Sequence, residues 1–273
     1  MYSNPIHMGK LLPNLTFTGS VSNFSAYTMR GHDKVIIRSK GGASREQIQT
    51  APSFRDTRNL NNEWKGVTTA AQKIRNGLYG LKPLADYNIS GPLNALVKKI
   101  QSLDTINPKG KRSILFSLQP DFIGSFSYNR QTLFDTVIRQ PLTIDIDKTA
   151  GLAELRIPAL QQQVNFFSHP RYDHYRFVLA ATHVSNVVWN EATRNYITLN
   201  DLMPQYKPVY TPWAHSNLPQ PSADYLIGPA FPFSPGPDMI LVFGAGIQYG
   251  LPAADGSIQP APYVGAARII KSV

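Results

Sequence analysis

Cysteine is absent from all 273 residues, which excludes a disulfide framework, thiolate metal sites and a cysteine nucleophile. Long apolar runs are missing as well. The opening MYSNPIHMGKLLPNLTF holds no apolar core of the ~7–15 residues that a signal peptide needs. No stretch approaches the ~20 apolar residues of a membrane span. Membrane insertion is therefore not expected, and the expected location is the cytoplasm or the interior of a particle. Asn-x-Ser/Thr triplets at Asn14, Asn23 and Asn88 read as chance matches in a chain rich in Asn, Ser and Thr. Met8, followed by Gly-Lys, is a second candidate start. No cofactor is expected.

Apolar residues are plentiful: 42% of the chain is hydrophobic and 11% aromatic. That is more than long disordered chains carry, so a folded protein is implied. The net charge of +10 points to an anionic partner, since charge governs partners and solubility rather than fold. It is unevenly placed. Residues 1–112 hold 17 Lys+Arg against 6 Asp+Glu, a net +11, while residues 113–273 hold 10 against 11, a net −1. Proline runs the other way, with 12 of 22 between Pro204 and Pro262. Two parts are expected: a basic module over 1–112, and a near-neutral part over 113–273 with long Pro-rich loops.

The basic module starts with strand-like runs at 15–19, 22–29 and 34–39. Gly31 and Asp33 supply the turn chemistry for a hairpin over 22–39. Leu60, Trp64, Val67, Ala71, Ile74 and Leu78 then recur at spacings of three and four, one stripe of an α-helix. Ser53 and Asp56 read as its capping box. Gly66 and Gly77 cost this helix about 1 kcal/mol each relative to Ala, which tertiary packing has to offset. A second helix starts near Ser90, with Pro92 in its first turn, and buries Leu93, Leu96, Val97, Ile100 and Leu103. The two form an antiparallel hairpin around the loop 82–88, and residues 109–112 close the module as a basic connector. Beyond Ser113, strand-like runs at 113–118, 141–147, 151–158, 175–184, 239–250 and 263–271, parted by Pro and Gly, point to an antiparallel β-sandwich. The first two of the middle runs form a hairpin. The fold class is thus α+β: a β-hairpin and helical hairpin, then the sandwich.

Motifs for chemistry are weak. Gly244, Gly246 and Gly250 follow an apolar strand in a near miss to the dinucleotide fingerprint. That fingerprint needs a helix and second strand after it, and Pro252, Pro260 and Pro262 leave no room. Glycines in a strand for close sheet packing or a bulge are the ordinary reading. Lys40-Gly-Gly-Ala-Ser-Arg45 lacks the Lys-Ser/Thr ending of a P-loop. Of the six histidines (His7, His32, His169, His174, His183, His215), only His169 and His174, with Asp173, cluster, and their spacing fits no helical ligand pair. Asp145 and Asp147 share one strand face beside Lys148 and read as a solvated hairpin tip. No catalytic constellation emerges, and an enzyme is not expected.

The cations carry the strongest functional signal. Arg30, Lys34, Arg38 and Lys40 surround the first hairpin, and Arg55, Arg58, Lys65 and Lys73 line the first helix. Lys98, Lys99, Lys109, Lys111 and Arg112 follow. This footprint suits an acidic subunit surface or a phosphate backbone. No zinc finger, RNP motif or helix-turn-helix accompanies it, so base-specific reading is not expected. Tyr206, Tyr210, Trp213, Tyr225, Phe231 and Phe233 lie among the prolines of the 204–237 stretch. Aromatics on stiff loops bury interface area at low entropic cost.

The runs MGKLLPN (8–14), GSVSNFSAYTMRGHDKVIIRSKGG (19–42), TAPSFRDTRNLNNEW (50–64), ADYNISGPLNALVK (85–98) and RSILFS (112–117) resemble an uncharacterised protein family frequent in Bacteroidota genomes. The resemblance covers about the first half of the chain and implies kinship without a mechanism or a functional residue. The reading from residues is a non-catalytic structural or assembly protein, whose partner is itself or other protein subunits. The alternatives are a sequence-indifferent nucleic-acid-binding protein using the basic module, and a β-sandwich hydrolase or ligand binder.

Overall fold

A computed structural model describes residues 17–28, 34–39, 41–200, 206–229 and 235–273. It combines helices with antiparallel sheets, the expected α+β class. Among the described residues no helix is long and apolar enough to cross a membrane. The chain divides into two compact units, residues 1–58 and 59–273. All but the first four residues of the two long helices therefore fall in the same unit as the large sheet, whereas the sequence places the expected boundary after Arg112.

The first unit contains strands β1 (Gly19–Val21), β2 (Phe24–Tyr27) and β3 (Ile36–Ser39), in the order β1-β2-β3. The β2–β3 pair is the expected hairpin. Helix α1 (Arg45–Thr50) starts with a true capping box: Gln47 N–H donates to Ser44 Oγ at 3.1 Å and Ser44 N–H to Gln47 Oε1 at 2.8 Å. The box thus forms at Ser44–Gln47, one helix earlier than the expected Ser53–Asp56. Residues Pro52–Phe54 make a 3-10 turn, and α2 (Arg55–Gly77) follows.

The second unit is built in three layers. Helix α3 (Ser90–Ser102) runs antiparallel to α2, because Glu63 meets Lys98 and Gln101 while Arg75 meets Asn94. On α2 the buried residues are Glu63, Gly66, Val67, Ala70, Ala71 and Ile74. Leu60 and Trp64, assigned to the stripe from sequence, are instead 47% and 46% exposed. Gln101 near the end of α3 lies opposite Glu63, so the turn carrying Leu60 projects past its partner. Leu103, one residue beyond the end of α3, is exposed as well.

After a short helix, α4 (Phe134–Val137), come β4 (Thr143–Asp147) and β5 (Leu152–Ile157), the expected hairpin. The long β6 (His174–Ser185) is followed by β7 (Val187–Asn190), β8 (Asn195–Thr198), β9 (Val209–Tyr210), β10 (Ala214–His215) and β11 (Ala223–Ile227). Strands β12 (Met239–Pro252) and β13 (Ile258–Ser272) complete the chain. The large sheet has the order β10-β6-β12-β13, with β9 also on β6, and a smaller sheet has the order β11-β5-β4. Residues 113–118 are not a strand as expected. Phe116–Leu118 is a 3-10 turn, and only Ile114 bridges to Val187.

Alternation along the central strands assigns the two faces. Tyr175, Phe177, Leu179 and Ala181 of β6, with Leu241, Phe243, Ala245 and Ile247 of β12, join Ala153, Leu155 and Ile227 of the smaller sheet in one core. Val178, Ala180, Ile240 and Val242 join Val67, Ile74, Leu93 and Val97 of the helices in the other. Sheet thus packs on sheet on one side, and helices cover the other. A strand covered twice needs apolar residues in both registers, and Met239–Gly250 is buried without a break. Each fully buried Leu or Ile there contributes about 1.5–3 kcal/mol.

The glycines of β12 serve this packing. A Cβ on Gly244 would overlap Leu81, and one on Gly246 would overlap Leu84 and stand 2.9 Å from Ala267 Cβ. Their absence lets the 3-10 segment Tyr79–Leu84 lie directly on the sheet. The β12–β13 register also slips at Phe243/Gly244 and Gln248/Gly250. Close packing and bulges, the ordinary reading of these glycines, are both present.

Candidate functional site

The cations named from sequence divide into engaged and open ones. Glu63 is fully buried, and its carboxylate accepts from Arg112 Nε at 2.7 Å, Arg112 Nη2 at 2.8 Å, Lys98 Nζ at 2.5 Å and Gly110 N–H at 2.9 Å. Gln101 Nε2 and the Tyr196 hydroxyl both donate to the Arg112 carbonyl, at 3.0 and 2.9 Å. Residues 109–112 are therefore folded onto α2 rather than forming a connector. Gly110 adopts φ +100°, which presents its N–H to Glu63. Burial alone would raise the Glu63 pKa, but the bonds from Arg112, Lys98 and Gly110 outweigh it and hold the carboxyl at about 2.

Lys111 pairs with Glu191. Arg58 donates to the carbonyls of Ile48 and Ala51, both at 2.8 Å, closing the end of α1. Arg38 lies 5.7 Å over the Tyr27 ring. Lys73 and Lys109 also have partners. Lys34, Arg55, Lys65 and Lys99 are exposed, whereas Arg30 and Lys40 lie outside the described residues. Lys98 and Arg112 thus hold a core carboxylate, although both side chains stay partly exposed.

The aromatic set is divided in the same way. Tyr206 is 4% exposed, and its hydroxyl donates to the Gly151 carbonyl at 2.9 Å. It belongs to the core and not to a surface, which corrects its assignment to an interface. The Arg176 guanidinium lies 4.4 Å from the Tyr210 ring and 4.5 Å from the Trp213 ring, and its Nε donates to Gln248 Oε1 at 2.8 Å. Tyr225 packs half-buried against the sheet-on-sheet core. Phe231 and Phe233 lie outside the described residues.

The histidine and aspartate candidates do not converge. The His169 ring packs on Tyr172 and Tyr249, while His174 meets His215 edge-on at 5.1 Å. Asp147 Oδ1 accepts the Thr149 and Ala150 N–H groups, so it caps the β4–β5 turn. Asp145 is exposed at the same hairpin. Among the described residues no group of three or more His, Asp or Glu could hold a metal ion.

His183 is the titratable group that composition singled out least. It is fully buried, and Nδ1 lies 3.2 Å from the Tyr206 oxygen. Burial pushes the imidazole down to about 4 from 6.5. The unfolded chain then binds a proton near pH 5–6 that the folded chain rejects, so stability is complete above pH 6.5 and falls as pH drops toward 4. Urea unfolding should show a loss of about 2 kcal/mol between pH 7 and pH 5. His183→Gln should remove most of that slope; an unchanged slope in the variant would assign the effect elsewhere.

A further cleft lies where the sequence reading placed no site. It is lined by Arg75, Tyr79, Lys82, Tyr87 and Tyr263 among others, and encloses about 800 Å³. None of the thirteen named cations lines it. Its walls come from three distant parts of the chain, so no local motif marks it. Comparison with family models, with curated proteins and with solved structures finds no match to this chain.

Proposed function

We propose that this chain is a non-catalytic structural protein that assembles with further copies of itself through its N-terminal three-stranded sheet. The carrying observation is how little that sheet buries. Among its described residues only Ala26 is buried, while Val21 and Phe24 are 58% and 51% exposed. Val21 and Phe24 are register partners, and Ala26 pairs with Ile37, so these four share one apolar face. Arg38 stands on the opposite face, opposite Ser25. A three-stranded sheet needs a packed face for stability, and the apolar face carries no charge among its described residues. Two copies can therefore meet there about a two-fold axis without like-charge repulsion.

Sedimentation of the purified chain over a wide concentration range tests the reading. Self-association is expected, and Val21→Ser with Phe24→Ser should weaken it at least tenfold while the main unfolding transition stays in place. A strict monomer at several hundred micromolar would end the proposal. The alternative, phosphate-backbone contact by the basic module, draws on the exposed Lys34, Arg38, Arg55, Lys65 and Lys99. It requires binding to generic DNA or RNA that falls steeply with salt.

A further inference from the structure

The cleft between the end of α2, the Tyr79–Leu84 segment, the start of α3 and β13 has the size of a small-molecule site. Its polar groups are unbalanced toward donors. Arg75 and Lys82 line it, and Arg130 lies 4.2 Å over the ring of Tyr87 in its wall. Lys82 has no ion-pair partner among the described residues. The one lining carboxylate, Asp86, accepts the Arg130 N–H on both oxygens at 3.0 Å and the Gln131 N–H at 2.8 Å. It fixes the wall and is not paired with Lys82 or Arg75. Asn88 Oδ1 accepts the Ser90 N–H at 3.0 Å, which leaves its amide nitrogen as a donor.

Tyr263 is a second, independent observation. Its φ of +58° lies in the left-handed region, which a non-glycine side chain rarely adopts. The ring is 77% exposed, so burial does not compensate for that backbone. Tyr263 falls between Pro260 and Gly265, where the pairing with β12 is interrupted. Such irregularities re-aim side chains beside binding sites. Tyr79, 52% exposed, lies on the same cleft. Exposed tyrosine faces beside Lys82 and Arg75 suit a flat ring that carries an anion, stacked on the aromatic and held by the cation.

We propose that this cleft binds a nucleotide, with the base stacked on Tyr263 and the phosphate held by Lys82 and Arg75. A free mononucleotide and one nucleotide of a single-stranded nucleic acid share this chemistry. The proposal uses none of the thirteen cations named from sequence and no residue of the N-terminal sheet, so it stands or falls separately from self-assembly.

Calorimetric titration of the full chain at low salt, with adenosine 5′-monophosphate, adenosine, inorganic phosphate and a dodecamer of deoxyadenosine, tests it. The monophosphate is expected to bind, and adenosine and phosphate each at least tenfold more weakly. Tyr263→Asn, which tolerates the left-handed backbone, and Lys82→Ala should each weaken binding about tenfold with the unfolding midpoint unchanged. A dodecamer that binds more tightly than the monophosphate assigns the site to a strand, and the reverse assigns it to a free nucleotide. Absence of binding by both at millimolar concentration, or binding that neither variant alters, would overturn the proposal.

Discussion

Glu63→Gln is expected to destabilise the second unit by about 3–5 kcal/mol, although it removes no heavy atom from the core. The wild-type carboxylate receives two bonds from Arg112, one from Lys98 and one from the Gly110 N–H while fully buried. Gln keeps the shape but removes the charge, and its amide nitrogen would face a donor. Arg112 and Lys98 would then be left partly buried without a counterion. For a unit of this size the loss corresponds to a fall in Tm of about 10 °C. Glu191→Gln is the control: its partner Lys111 is also exposed, and the midpoint should not move. Acid titration gives a second reading. With the folded pKa lowered from 4.5 to about 2, the contribution is fully present above pH 4.5 and is lost as pH falls toward 2. The variant should lack this component, and a loss below 1 kcal/mol at pH 7 would show that the network contributes little.

Gly77→Ala should also destabilise, against the direction set by helix propensity. Alanine in a helix is worth up to about 1 kcal/mol over glycine. A Cβ at this position, however, would overlap Oγ1 and Cβ of Thr182 and stand 2.8 Å from its Cγ2. Thr182 is buried on the central strand β6 and stiff at χ1, so relief needs movement of backbone. Overpacking costs about 1–3 kcal/mol, and a net loss of about 2 kcal/mol is expected from urea unfolding. Thr182→Ser should not rescue the variant, because the overlap with Cβ remains. A stabilised Gly77→Ala would mean that α2 and β6 separate more readily than their packing implies.

Features set by near neighbours in the chain were readable in advance. Pro92 in the first turn of α3, the 141–158 hairpin and the strand-like run of β6 all rest on local sequence, and they appear where that sequence places them. Glu63 could not be read in this way. A charged residue at a helical position looks solvated until its partners are known, and Arg112 stands 49 residues later. The same applies to Tyr206, whose burial depends on Gly151 and His183. Strands β7, β8 and β11 went unread because four or five residues among Asn, Pro and Gly give too short a pattern. The cleft was invisible because residues 75–90, Gln131 and Tyr263 come together only in the folded chain. The aromatic that marks it is aimed by a break in strand pairing.

The central position of β12 has a consequence for synthesis. The strand that covers the apolar faces of α2 and α3, together with β6, lies at residues 239–252 and begins 137 positions after α3 ends. At the ~5–20 residues per second of translation, those faces wait on the order of ten seconds for their partner. A nascent chain therefore carries a finished helical hairpin whose covering layer still lacks its central strand. For this protein the ribosome, rather than the intrinsic speed of strand pairing, sets the earliest moment at which the core can form.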